Sequence, residues 1–197
     1  MSQYHHGDLR AALLEAAGAI LQEKGVEGFS LRECARRAGT SHAAPAHHFG
    51  DAQGLLSEYA ALGFERMVAM MRDARAAAGP QASDQLRATG RAYIDFALAN
   101  RAAFQLMFRT DRLEGGHARL DAARAAAFEE LRSALAALHG GTAPLPQLML
   151  AWSTVHGFAT LLLEHAADGI RQGRDMEAFS QEMGDAVLAL LRKSLGP

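Results

Sequence analysis

"LRECARRAGTSHAAPAHHFGD", residues 31–51, has the rhythm of a short helix, a turn and a second short helix. Leu31, Ala35 and Ala38 are spaced as the inward stripe of the first helix, and Gly39 permits the turn. Ser30, followed three residues later by Glu33, predicts a capping box, with Phe29 placed to staple against Cys34. The first helix is expected to reach about Ala38 and the turn to occupy Gly39–Ser41. The second is expected over His42–His48, with Pro45 at the edge of its first turn, where a missing N–H costs little. Phe49 would anchor its end. Spacing alone fits a DNA-reading helix-turn-helix and a plain helical hairpin equally.

Outward from this stretch, the 197-residue chain reads as all-α. Its apolar share of 49% is dominated by Ala, while aromatics are only 7%, which favours helices over strands. Asp8 is expected to cap a helix over about 8–24, with Leu9, Leu13, Ala16, Ile20 and Leu21 at three-and-four spacing. Asp51 is expected to cap a long connecting helix over about 51–78, with Leu55, Tyr59, Leu62, Arg66 and Met70 on its stripe. Further helices are expected over about 83–100, 117–138, 146–167 and 175–195, the last with Met176, Phe179, Met183, Val187 and Leu190 on one face. The expected organisation is a three-helix domain over 1–50 and a larger helical bundle over 51–197.

Charge restricts the partners. With a net charge of −2, the chain lacks the cationic excess that coats nucleic acid without specificity. Up to residue 55 it carries five Lys or Arg (Arg10, Lys24, Arg32, Arg36, Arg37) against six acids (Asp8, Glu15, Glu23, Glu27, Glu33, Asp51), a formal −1. Any DNA contact must therefore be local. Five of the nine histidines, at 5, 6, 42, 47 and 48, fall in the same region. Histidine adds charge under mild acid or beside phosphate, so binding through these residues, hydroxyls and helix N-termini would strengthen as pH falls from about 8 to 6. In the alternative, the histidines are solvated and Arg36 and Arg37 do the steering.

The single Cys34 excludes an internal disulfide framework and suits the cytoplasm. Its staple position favours a buried structural thiol over a sensor activated by Arg36 and Arg37. A metal site is not expected, because His42 and His47, five apart on a helix, diverge and no carboxylate or thiol completes a tetrahedral set. No secretory signal pattern is seen at the start. The apolar run from Leu145 is broken by Pro146, Gln147, Ser153, Thr154, His156 and Gly157, so a buried bundle helix is expected and a membrane span is not. No nucleophile elbow, phosphate-binding glycine loop or zinc-protease helix supports an enzyme.

"GFSLRECARRAGTSHAAPAHHFGDAQGLL", after a helix ending in "EKG" and before a long helix, resembles the N-terminal domain of the TetR/AcrR regulators. "YHHGDLR" at the start and "WSTVHGF" at 152–158 resemble the subgroup whose C-terminal domain is named for its Trp, His and Gly. The resemblance implies an all-helical homodimer that binds double-stranded operator DNA and responds to a small molecule, by family default as a repressor. It places Thr40, Ser41, His42, Ala43 and Pro45 at the start of the recognition helix and His47 and His48 at its far end, with Arg32 and Tyr4 as backbone contacts. Ala46 and Ala52 stand where the family commonly has an aromatic ring and a Lys, both of which help hold phosphate.

In the bundle, Phe96, Phe104, Met107, Phe108, Met149, Trp152 and His156 supply aromatic and Met surface suited to a small apolar or aromatic effector. No cofactor is expected. The last two helices are more apolar than one buried face needs, and they are the expected homodimer interface. A regulator-like dimer whose DNA contacts have decayed is the rival reading, motivated by Ala46 and Ala52.

Overall fold

The computed structural model describes residues 6–195, with side chains from Leu9 onward. Among the described residues it consists of helices and turns: α1 His6–Lys24, α2 Leu31–Arg37, α3 Ala44–Phe49, α4 Ala52–Ala77, α5 Ala82–Ala99, α6 Arg101–Met107, α7 Ala118–His139, α8 Leu145–Leu163, α9 Asp168–Arg171 and α10 Met176–Leu195. Two compact units divide it, Met1–Phe64 with Arg101–Arg124, and Glu65–Asn100 with Ala125–Pro197. The division does not fall at residue 50. The first turns of α4, all of α6 and the start of α7 belong with the first three helices.

The core of the first unit forms where α1 presents Leu13, Ala16, Ala17 and Ile20 to Cys34 of α2 and Leu55 of α4, with Leu9, Phe29, Leu31, Ala38 and Phe49 packed around them. Full burial of a Leu or Ile side chain is worth about 1.5–3 kcal/mol, so this small cluster carries most of the cohesion of the three short helices. The Cys34 thiol is fully buried and donates to the Leu13 carbonyl at 3.2 Å. Burial pushes its pKa up to about 11 against the pull of Arg37. Cys34 is therefore a protonated structural residue. The apolar stretch 102–107 lies in α6, whose Leu106 and Met107 are fully buried. A Cβ on Gly63 would lie 2.7 Å from the Met107 sulfur, so α4 and α6 cross closely there.

In the second unit, α5, α8 and α10 bury Ile94, Phe96, Leu148, Val155, Ala159, Leu188 and Leu191. A Cβ on Gly90 would come within 2.6 Å of Leu188, which marks the crossing of α5 and α10. Arg91 ties the same pair together, donating to the Asp185 carboxylate at 2.8 Å and the Gln181 carbonyl at 2.9 Å.

Several local expectations are corrected. The first helix starts at His6, so Asp8 lies inside it and is not its cap. Ser30 is the N-cap of α2 in extended conformation, but its hydroxyl makes no capping bond, and Glu33 is held by Arg36 and Arg37 instead of reaching back. The second helix of the motif begins at Ala44, not His42, because residues 41–44 form a turn closed by Ala44 N–H to Ser41 C=O at 3.1 Å. On α4, Arg66 and Met70 are exposed, and the buried row passes instead through Phe64, Met67, Val68 and Met71. The helix expected to reach residue 167 stops at Leu163; His165 adopts φ 57° and the four-residue α9 follows.

Asp51 caps α4 as its spacing suggests, its carboxylate accepting the Gly54 N–H at 2.9 Å. At this corner a Cβ on Gly54 would run into the Phe49 carbonyl oxygen, a backbone atom that cannot step aside. Gly54→Ala is therefore expected to cost about 1–3 kcal/mol in urea denaturation, as overpacking does. An unchanged midpoint would mean that α3 and α4 do not meet this closely.

Candidate functional site

The turn between α2 and α3 is built by a helix-ending pattern that needs a left-handed residue. Gly39 takes φ 65°, its N–H bonds to the Arg36 carbonyl at 3.2 Å, and the Thr40 N–H reaches the Ala35 carbonyl at 3.0 Å. This paired arrangement satisfies the last carbonyls of α2 and turns the chain sharply. Glycine is the residue that adopts that conformation without a Cβ penalty.

Past the turn, Pro45 is buried at the start of α3, and Phe49 at its end is half-buried against the core. Around these anchors the surface is open: Ser41, His42 and Ala43 before Pro45 and Ala46 and His47 after it are exposed, with Arg32 exposed on α2. Thr40 and His48 are half-buried. Thr40, Ser41, His42 and Ala43 thus lie in the turn, and the helix itself carries Pro45, Ala46, His47 and His48. Tyr4 lies outside the described residues.

The arginines nearest this surface are engaged by acids. Arg36 donates to both Glu33 oxygens at 2.8 Å, and Arg37 donates to Glu33 at 2.9 Å and to both oxygens of Glu23 at 2.8 and 2.6 Å. Hydrogen bonds from Arg36 and then Arg37 pull the Glu33 carboxyl down to about pH 2. Steering by Arg36 and Arg37 would thus require phosphate to displace a carboxylate.

The candidate ligand residues are divided between the two units. Phe104, Met107 and Phe108 belong to the first unit, where Phe108 rings pack against Phe104 at 5.1 Å and Phe64 at 5.6 Å between centroids. Phe96, Met149, Trp152 and His156 belong to the second. There Phe96 is fully buried, Met149 and Trp152 are exposed, and His156 is half-buried on α8. The His156 Nδ1 lies 2.8 Å from the hydroxyl of Tyr93 on α5, with the Trp152 ring 6.2 Å from the imidazole. Burial pushes the Tyr93 phenol up and the His156 imidazole down. A neutral phenol and a neutral imidazole therefore meet inside an apolar bundle, which suits hydrogen bonding to a small ligand. Among the described residues, no three His, Cys, Asp or Glu side chains come together as metal ligands. No helix among them is long and apolar enough to cross a membrane.

Residues 13–59 match the family described as bacterial regulatory proteins, tetR family, and residues 86–187 match the tetracyclin repressor-like C-terminal domain. The chain belongs to the TetR family. A protein of unknown function from Rhodococcus sp. RHA1 superposes with a TM-score of 0.80 at 34% identity, covering 100% of both chains. The TetR family regulator PfmR from Thermus thermophilus gives 0.63 at 23% identity over 90% of this chain and 97% of its own. LfrR from Mycobacterium smegmatis, in complex with proflavine, gives 0.62 at 18% identity over 93% and 95%. No curated protein matches the chain. TetR regulators are DNA-binding transcription factors and not enzymes, and the helix-turn-helix with its helical C-terminal region is theirs. The subgroup named for Trp, His and Gly is a finer reading than these matches carry.

For a TetR protein the departures are now placed. Ala46 is exposed on α3, and Ala52 is half-buried on the first turn of α4, directly after the Asp51 cap. Sequence reasoning missed Tyr93, whose signal was a Tyr inside an apolar helix that needs a partner for its hydroxyl once buried. It also missed the Glu33 clamp, although Glu followed by Arg at three and four residues on is a helix-pairing pattern.

Glu33→Gln weakens the hold on Arg36 and Arg37. It is expected to tighten binding to a duplex of arbitrary sequence and steepen the log-log salt dependence by about one unit, the slope of one added phosphate contact. An unchanged slope would show that neither guanidinium reaches the backbone. In the second unit, the folded protein holds His156 less protonated than the unfolded chain does. Stability should therefore fall as pH drops through about 6.5. Urea midpoints measured from pH about 7 down to 5 should decline less in His156→Gln than in the parent, and identical curves would refute the assignment.

Proposed function

We propose that this TetR protein is a homodimeric repressor, released from a palindromic operator when a small apolar or aromatic effector binds its C-terminal region. The observation that carries the reading is the exposed surface of Ser41, His42 and Ala43 in the turn and of Ala46 and His47 on α3, a helix seated by the buried Pro45 and the anchored Phe49. Such a short element reads base edges only when its scaffold fixes it, and here the scaffold does. With Arg36 and Arg37 engaged by acids, base and phosphate contact falls to the exposed Arg32, hydroxyls, histidines and backbone N–H groups.

Dimerisation is supported by apolar side chains left in solvent. Leu145, Met149, Leu150, Trp152 and Leu161 of α8 are exposed, and Leu190 of α10 is 61% exposed. A second copy covering both helices would bury them, and half-site spacing would follow from the pair. Effector response is supported by the Tyr93 and His156 pair beside Trp152, and by the proflavine held by LfrR, a neighbour in fold. Release is a population shift, in which the effector binds the released state more tightly than the DNA-bound one.

A second reading, a ligand-binding dimer with little DNA affinity, is favoured by one observation: Glu33 and Glu23 occupy Arg36 and Arg37. Selection from a random duplex pool by the purified protein separates the two. A palindromic site, bound more tightly at pH about 6 than at about 8 as histidine contacts require, is the expected outcome. No enrichment at either pH would overturn the repressor reading in favour of the second.

A further inference from the structure

Arg10 makes two contacts that join the reading helix to the rest of the first unit. Its guanidinium lies over the Phe49 ring, 5.3 Å from the centroid, and it pairs with the Glu58 carboxylate. Phe49 is the last residue of α3, so Arg10 holds the end of the recognition helix, while Glu58 on α4 holds Arg10. The carboxylate is shared. Arg119, at the start of α7, donates to the same Oε2 at 2.7 Å, and the His117 Nε2 faces Oε1 at 3.6 Å. His117 in turn accepts the Leu120 N–H on its Nδ1 at 3.3 Å, capping α7. The neighbouring Ser57 hydroxyl, fully buried, accepts the Glu114 N–H at 2.8 Å. Two consecutive α4 residues thus grip the segment before α7, and one of them also grips α1.

Burial alone would push the Glu58 carboxyl up, but Arg10 and Arg119 outweigh it and hold the group below its ordinary range. It stays ionised at neutral pH. An oxygen shared by two guanidiniums divides its hold between them, so a change at one is felt at the other.

We propose that Glu58 is a positioning residue for DNA reading: it sets the pose of α3 through Arg10 and Phe49, and Arg119, competing for the same oxygen, tunes how firmly. The proposal rests on the DNA-reading function of this unit. Glu58 touches no base and no phosphate itself.

The test uses the full-length protein, the duplex that its wild type selects from a random pool, and a scrambled duplex of equal length. Glu58→Gln should lower the ratio of specific to non-specific affinity about tenfold, comparable with one lost base contact. Arg119→Gln, which leaves the carboxylate to Arg10 and His117, should raise the ratio by about twofold. Opposite signs distinguish positioning from simple structure. Equal losses in both variants, in step with lower thermal stability, would overturn the proposal, as would an unchanged ratio in Glu58→Gln. A DNA-free readout stands beside these. The His48 ring lies 6.2 Å from the Phe49 ring, so its ¹H–¹³C resonances should shift in Glu58→Gln, and an unmoved His48 spectrum would also overturn the proposal. A wild type that selects no duplex would refute DNA reading itself, while the His48 spectrum still decides whether Glu58 positions α3.

Discussion

The crowded corner between α3 and α4 is the constraint on which the reading surface depends. A six-residue helix has too few internal hydrogen bonds to persist alone, so α3 exists where its surroundings put it. At one end Pro45 is buried; at the other, Phe49 is packed in the core, its carbonyl accepts the Asp51 N–H at 3.0 Å, and Gly54 leaves room for that carbonyl only by lacking a Cβ. The direction of α3 and the start of α4 are thus one geometric fact. Everything presented to DNA inherits its position from that corner.

The electrostatics of the first unit run against the usual picture of a basic surface waiting for phosphate. Several of its arginines are held by carboxylates, Arg36 and Arg37 on Glu33 and Glu23, Arg10 and Arg119 on Glu58, Arg109 and Arg112 on Glu27, while Arg32 stands exposed on α2. Exposed pairs of this kind add little stability, and those at Glu33 lie in solvent reach. At Glu33, beside the turn of the helix-turn-helix, the pairs draw two guanidiniums toward carboxylates.

The second unit has a different chemistry. Its core is apolar, with a phenol and an imidazole placed together inside, and its α8 keeps a row of large apolar side chains in solvent. A buried phenol and a half-buried imidazole bonded to each other cost little to hold. An uncovered apolar row on a helix whose other face is already buried calls for a partner surface.

Residues 31–51 alone determined that two short helices are joined by a tight turn, because the 3.6-residue period, Gly39 and Asp51 act through neighbours in sequence. Composition likewise determined the all-helical class, since Ala-rich segments broken by Gly and Pro leave little else to form. Only the tertiary structure decided where α3 begins, because whether residues 41–44 turn or coil depends on how Pro45 and Phe49 are seated. It alone decided that Glu33 serves two arginines instead of capping α2, a competition between a backbone N–H and guanidiniums that spacing does not rank. It alone assigned Phe104, Met107 and Phe108 to the first unit and Trp152 and His156 to the second, because aromatic content says nothing of which core a side chain joins. The partners Arg10, Phe49, Glu58 and Arg119 lie at distances in sequence that no local period spans, so their meeting was settled by packing.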